Sequence, residues 1–179
     1  MLEVAPLLPP DDFAVREIMQ FSALTSFFAS LTPLTVEQPP TYRASAAATY
    51  PHDARAFTQG LCYEPDKGTL LESTGLYGES TARRVQVQSG RVLQEEALPG
   101  HWFGEGLAVR GGDCVQLLWR ENMLIVRDAQ TLEMRGLRPL PRPMREGWGL
   151  THDGAGTLYA SDGSDQLFAI SRDLKVERK

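Results

Sequence analysis

Cysteine is scarce: Cys62 and Cys114 are the two thiols of 179 residues. A small secreted domain held by a disulfide framework would carry more, and their spacing fits no zinc site. Both read as small buried hydrophobes. Basic charge is also short, with 18 Lys and Arg against 23 Asp and Glu and a net charge of -5. That argues against the basic stripe of a nucleic-acid binder. The catalytic signatures HExxH and GxSxG and the phosphate loop are missing. What remains, 42% hydrophobic and 23% charged, is an ordinary soluble composition with chain enough for one buried core.

Residues 1–44 differ from the rest. From Ile18 to Val36 there is no charge, and Phe21, Leu24, Phe27, Phe28, Leu31 and Leu34 recur at roughly helical spacing. A signal peptide or anchor wants a basic lead, yet Glu3, Asp11, Asp12 and Glu17 outnumber Arg16. Ser, Thr and Pro33 make the segment a poor transmembrane helix, which needs about 20 predominantly apolar residues. Two readings stay open: a targeting segment, or a partly helical or loosely ordered leader that ends in the linker Pro39-Pro40. Membrane association would depend on the first, and so would the choice between a secretory and a cytoplasmic location.

Residues 45–179 have another character. Val85 to Val87, Val115 to Leu118, Met123 to Val126 and Leu167 to Ile170 are strand-length stretches. Turn signals separate them, among them Pro65-Asp-Lys-Gly68, Gly111-Gly-Asp113 and Asp162-Gly163. Many short strands between glycine-rich turns predict an all-β sandwich, barrel or propeller. An internal repeat decides among these. Phe57-Thr-Gln-Gly-Leu61 returns as Phe103-Gly-Glu-Gly-Leu107 and again as Glu146-Gly-Trp-Gly-Leu150. Its glycines, Gly60, Gly106 and Gly149, lie 46 and 43 residues apart, and further strand patterns follow each. A period near 45 with about four strands per unit is that of propeller blades. The 130 residues from Tyr50 to Lys179 hold about three. Three blades do not close a ring, so an exposed apolar strand edge is expected near Leu167 to Ile170.

Tyr50-Pro-His-Asp53, Ala56-Phe-Thr-Gln-Gly-Leu61, Glu72-Ser-Thr-Gly-Leu-Tyr-Gly78, Phe103-Gly-Glu-Gly-Leu107, Gly147-Trp-Gly-Leu150 and Ser161-Asp-Gly-Ser164 follow one another in an order and spacing that resembles the plant-type glutaminyl cyclases. The likeness runs from about Tyr50 to Lys179. It implies a β-propeller of which this chain carries about three of five blades, with an active site at one mouth of the central channel. It implies a glutaminyl-peptide cyclotransferase, an acyltransferase that converts N-terminal glutamine of peptides and proteins to pyroglutamate and releases ammonia. It further implies a channel cation held largely on backbone carbonyls, with no cofactor needed for the chemistry. The family also takes an asparagine, a tryptophan and a lysine from later blades, which no position here supplies. Two local departures are Leu118, where the family has Thr beside the Trp, and Arg138-Pro-Leu-Pro-Arg-Pro143, which reads as a loop inserted before blade three.

Cyclisation is an intramolecular acyl transfer in which the α-amine attacks the side-chain amide carbon. Proximity is built into the substrate. The enzyme must aim a neutral amine, stabilise an oxyanion and protonate the departing nitrogen. Glu105 precedes the repeat glycine of blade two; Gln59 and Trp148 hold that place in blades one and three. Superposed blades would turn all three toward one end of the channel. By itself Glu105 reads equally as a solvated strand-end carboxylate. The resemblance marks it as the catalytic acid and base, and marks Phe57, Gln59, Phe103, Trp119 and Trp148 as substrate-binding. Gln59 offers the donor and acceptor that suit a primary amide. His52-Asp53, His101 and His152-Asp153 read as turn or structural residues, and no metal ligand is assigned. The competing reading is a non-catalytic propeller fragment that binds a peptide end or a protein.

Overall fold

The computed structural model describes residues 2–4 and 41–179. The apolar segment from Ile18 to Val36, and with it the helical or targeting reading, lies outside them. Two compact units are distinguished, residues 3–49 and residues 50–179, the latter with residues 1–2. Strands β1 (Leu2–Val4) and β2 (Ala48–Tyr50) form a two-stranded sheet.

The rest is three four-stranded antiparallel sheets, each a meander in chain order. Blade one holds β3 (Thr58–Glu64), β4 (Thr69–Thr74), β5 (Thr81–Gln86) and β6 (Val92–Ala97). Blade two holds β7 (Gly104–Arg110), β8 (Asp113–Leu118), β9 (Met123–Asp128) and β10 (Met134–Pro139). Blade three holds β11 (Leu150–His152), β12 (Leu158–Ser161), β13 (Leu167–Ile170) and β14 (Val176–Arg178). The first strands neighbour one another, β3 against β7 and β7 against β11, as the inner strands of a propeller do.

Two repeat glycines are required there. A β-carbon on Gly60 would lie 2.5 Å from the backbone nitrogen of Leu107, and one on Gly106 would lie 2.4 Å from Trp148 O. Backbone meets backbone at those points, so a larger residue would push the inner strands apart.

Apolar side chains fill the space between blades. Leu71, Ala82, Leu107, Cys114, Ala129 and Leu132 pack between blades one and two, with Cys62 against them. Both cysteines are free thiols. Ala108, Val115, Leu117, Leu124, Leu158, Ala160, Phe168 and Ile170 pack between blades two and three. Blade two is covered on both faces, and Cys114 to Leu118 on β8 is therefore buried throughout.

Two expectations need correction. The proline-rich run is not a free loop: Arg138 and Pro139 pair with Leu124 and Met123 on β9, and Leu140 and Met144 enter the core. Nor does Leu167 to Ile170 form an open edge. β13 is paired on both sides, Phe168, Ala169 and Ile170 are buried, and Leu167 alone of the four is exposed.

Candidate active site

In blades one and two the pairing of the inner strand is irregular at the place the repeat singled out. In blade one Thr58 pairs with Thr74 and Gly60 with Ser73, leaving Gln59 as an extra residue. In blade two Gly104 pairs with Leu118 and Leu107 with Gln116, so Glu105 and Gly106 face Leu117 alone. Such bulges turn a side chain off the regular alternation of the strand. In blade three Trp148 lies two residues before β11 and donates its N–H to Ser161 O at 3.1 Å.

The result is a cleft of about 400 Å³ lined by Phe57, Gln59, Leu76, Phe103, Glu105, Trp119 and Trp148. All six site residues expected from the sequence meet there. Phe103, buried at the centre of the aromatic wall, contacts Trp119 and Tyr77 edge to face, each 5.4 Å between centroids, and Phe57 at 6.1 Å. Such edge contacts fix ring orientation as well as burying area.

Glu105 is half-buried, and its Oε1 accepts a hydrogen bond from Gln59 Nε2 at 3.1 Å. Burial disfavours the carboxylate form, and the charges of Glu121 and Glu146 disfavour it further, so its pKa is raised to about 7. Glu146 is pushed the other way, chiefly by the indole N–H of Trp148. Two carboxyl groups around one cleft thus differ in protonation at neutral pH, one poised and one ionised.

Two residues escaped the sequence reading. Glu146 Oε2 accepts the indole N–H of Trp119 at 3.0 Å and that of Trp148 at 2.9 Å. It opens the third repeat, at a place where the other two repeats carry no acid, so its spacing gave no signal. Leu76 lines the cleft from the turn after β4 with a φ of 80°. Its carbonyl accepts from Ser80 Oγ at 2.8 Å and Glu79 N at 3.1 Å, which holds the turn in that costly conformation. The flanking Gly75 and Gly78 were the available sign of a tight turn.

The histidines sit in structural contacts. His52 Nε2 meets the buried Glu72 at 2.8 Å, and His152 Nδ1 accepts Gly154 N at 3.0 Å. Asp153 Oδ1 accepts three backbone N–H groups of its own turn. Among the described residues no group of three or more His, Cys, Asp or Glu could hold a metal.

A family model described as glutamine cyclotransferase matches residues 18–179. The chain belongs to the glutamine cyclotransferase family. The match begins well before Tyr50, so the family's reach extends into the segment that the sequence reading had set apart. The chain is 40% identical over 133 residues to the glutaminyl-peptide cyclotransferase of Arabidopsis thaliana, covering 74% of this chain and 40% of that protein. It superposes on the crystal structure of the Myxococcus xanthus glutaminyl cyclase with a TM-score of 0.58 and 34% identity, over 70% of this chain and 50% of that one. The WD40 repeats of RRP9 superpose with a TM-score of 0.53 at 14% identity, over 72% of this chain and 39% of that one, a likeness of propeller fold alone. The chain spans half or less of the length of the cyclotransferase relatives it matches.

Proposed function

We propose that these three blades form one wall of a glutaminyl-peptide cyclotransferase site, acting on peptides and proteins that begin with glutamine. The observation that carries the reading is Glu105, a carboxyl group with a pKa near 7 at the centre of an aromatic cleft. An α-ammonium group loses its proton at a pKa of about 7.7–8.0. A carboxylate whose own pKa lies within about one unit of that is matched to take the proton and return it.

In this reading Glu105 enters as the carboxylate and takes a proton from the substrate's α-ammonium group. The freed amine attacks the amide carbon, the carbonyl π-bond opens to an oxyanion, and the five-membered ring closes. The oxyanion then re-forms the carbonyl, the C–N bond to the amide nitrogen breaks as the protonated Glu105 gives its proton to that nitrogen, and the second proton of the ring nitrogen passes to the ammonia, which leaves as ammonium. Gln59 holds one Glu105 oxygen in place, and the aromatic rings exclude water from the reacting amide.

The test is ammonia release from a Gln-initiated dipeptide by a protein that carries these blades together with the rest of the family length. Glu105→Gln keeps shape and hydrogen bonding but removes the base. Turnover falls by about two to four orders of magnitude, the size of a general acid–base contribution, while dipeptide affinity changes much less. Near-unchanged turnover in that variant rules out the role. Trp148→Phe acts more on affinity than on turnover.

A further inference from the structure

Trp119 follows β8 in blade two and Trp148 precedes β11 in blade three, and each indole offers one N–H. Both N–H groups converge on a single oxygen, Glu146 Oε2, at 3.0 and 2.9 Å. The other oxygen, Oε1, lies 3.4 Å from Arg120 Nε, and the Arg120 guanidinium in turn stacks over the Trp119 ring at 3.8 Å. One carboxylate therefore joins two rings from two blades, and one arginine closes the loop from carboxylate back to ring. The backbone reinforces it: Gly147 N donates to Trp119 O at 2.9 Å, so the chain beside Glu146 is tied to the chain beside Trp119.

An indole has two side-chain torsions, and a half-exposed one is free to turn unless its N–H is held. Trp148 is 44% exposed, so packing covers only part of it. Its ring also lies so near Gly163 that a β-carbon there would stand 2.9 Å away. The ring is thus stopped on one side by backbone and drawn on the other by the carboxylate. We propose that Glu146 is a positioning residue, which locks the two indoles of the cleft into one wall and so sets the shape offered to the substrate's glutamine side chain. The proposal rests on the cyclotransferase reading for what the wall is for, and not for the clamp itself.

The clamp has a second consequence. The same carboxylate adds its negative charge to the surroundings of Glu105, whose charged neighbours are Glu121 and Glu146. Arg120 offsets part of that charge through its pairing with Glu146, and Tyr77 adds a further titratable group beside Glu121 and Arg120. Removing the Glu146 charge without removing the acceptor therefore lowers the Glu105 midpoint and leaves the rings in place.

The experiment uses the 179-residue chain labelled at its three indole nitrogens, with Trp119→Phe and Trp148→Phe to assign the signals. In the wild-type chain the Trp119 and Trp148 N–H signals move together through one titration, whose midpoint lies below the ordinary glutamate value, and Trp102 does not follow. Glu146→Gln abolishes that titration but keeps both N–H groups protected. Glu146→Ala releases both, with exchange about ten- to a hundredfold faster, as expected for losing a bond to a charged acceptor. In a protein that carries these blades together with the rest of the family length, Glu146→Ala weakens binding of a Gln-initiated dipeptide amide about tenfold, and Glu146→Gln leaves it within about threefold of wild type. Independent titration of the two indoles, or unchanged protection in Glu146→Ala, overturns the clamp. A clamp that behaves as described, while a protein carrying these blades together with the rest of the family length releases no ammonia from a Gln-initiated dipeptide, leaves the clamp standing and overturns the cyclotransferase reading.

Discussion

Opposite the leucine of each inner strand, blade one places Glu72, blade two Gln116 and blade three Ala160. All three are buried, yet their surroundings differ in kind. Glu72 receives Arg83 Nε at 2.7 Å, Thr58 Oγ1 at 2.6 Å and His52 Nε2 at 2.8 Å, and Arg83 reaches on to Asp53 at 3.1 Å. Gln116 bridges blades, donating to Ser73 Oγ at 2.7 Å and accepting from Arg127 Nε at 3.0 Å. Ala160 lies in an entirely apolar cluster with Leu117, Leu158 and Phe168. The repeat holds the backbone constant while the buried chemistry runs from ionic to polar to apolar. The ionic cluster stands where it has something irregular to hold. It fastens residues 52–57, which form no regular strand before β3 and deliver Phe57 and then Gln59 to the cleft. In blade three the residue in that place packs among apolar side chains instead.

The comparison breaks most visibly at Glu72. Glu72→Leu fits the volume but leaves Arg83 buried without its main partner, and breaking a buried pair from one side costs about 3–5 kcal/mol. Denaturant unfolding should show that loss, together with weaker dipeptide binding as Phe57 and Gln59 lose their anchor. A Glu72→Leu chain as stable as wild type would mean the cluster holds nothing.

Three residues further on, just past the ends of the same strands, the blades differ again, with Gly75, Trp119 and Gly163. A β-carbon on Gly75 would stand 2.3 Å from the Phe103 ring, and one on Gly163 2.9 Å from the Trp148 ring. Blades one and three leave a seat for an aromatic ring where blade two supplies one. Gly75→Ala should cost about 1–3 kcal/mol by overpacking and should displace Phe103, the ring that touches Phe57, Tyr77 and Trp119. Thermal melts and the near-ultraviolet circular dichroism of the aromatic wall would both register it.

These positions show what could be read in advance. The inner strands, the blade count and the convergence of Gln59, Glu105 and Trp148 follow from a repeat whose glycines mark close backbone contact, and such a constraint leaves its trace at fixed spacing, whereas Phe57, Phe103 and Trp119 were marked by the family resemblance. The outermost strands β6, β10 and β14 left none. Val92–Ala97 and Met134–Pro139 have no buried residue, so charged and apolar side chains are equally acceptable there. The Glu146 clamp was illegible for a different reason. It joins residues that the repeat places out of phase, and its meaning lies in where one oxygen points. The ionic cluster was half legible: His52 and Asp53 read as structural, but their partners Glu72 and Arg83 lie in other strands.

A smaller effect separates Glu105 from Glu72, the cleft's carboxyl from the cluster's. The folded chain raises the Glu105 pKa from 4.5 to about 7. Between those values the native state keeps a proton that the unfolded chain has lost, so stability falls as pH rises across that window and stays reduced above it. Glu105→Gln removes this penalty. The variant should match wild type near pH 4.5 and exceed it by about 1–2 kcal/mol above pH 7, allowing for solvent screening of a half-exposed group. Melting temperatures across pH would check this, and a variant less stable than wild type above pH 7 would contradict the poised carboxyl.

The last contrast lies where blades one and two each reach the next blade with an arginine, Arg84 on β5 and Arg110 at the end of β7, and Arg110 carries the smallest effect. Arg84 donates to Ala129 O and Gln130 O, at the turn between β9 and β10, and is itself held by Glu64 at 2.8 Å. Arg110 donates to Ser171 O at 2.8 Å and Arg172 O at 3.0 Å, at the turn between β13 and β14, and has no carboxylate bonded to it among the described residues. Both clasps tie a turn to its neighbouring blade, but the first is buried and ion-paired while the second is partly open. Arg84→Gln should therefore cost about 2–3 kcal/mol, because it also breaks the ion pair with Glu64, whereas Arg110→Gln should cost about 1 kcal/mol, the net value of ordinary hydrogen bonds to carbonyls. The acceptors of Arg110 are neutral, so its smaller effect should vary little with salt. Guanidinium would obscure that comparison, and urea unfolding at low and high ionic strength is the suitable measurement. Equal costs for the two arginines would show that the carboxylate behind Arg84 adds nothing, and that the polar interface of blades one and two is no more dependent on charge than the apolar one beside it.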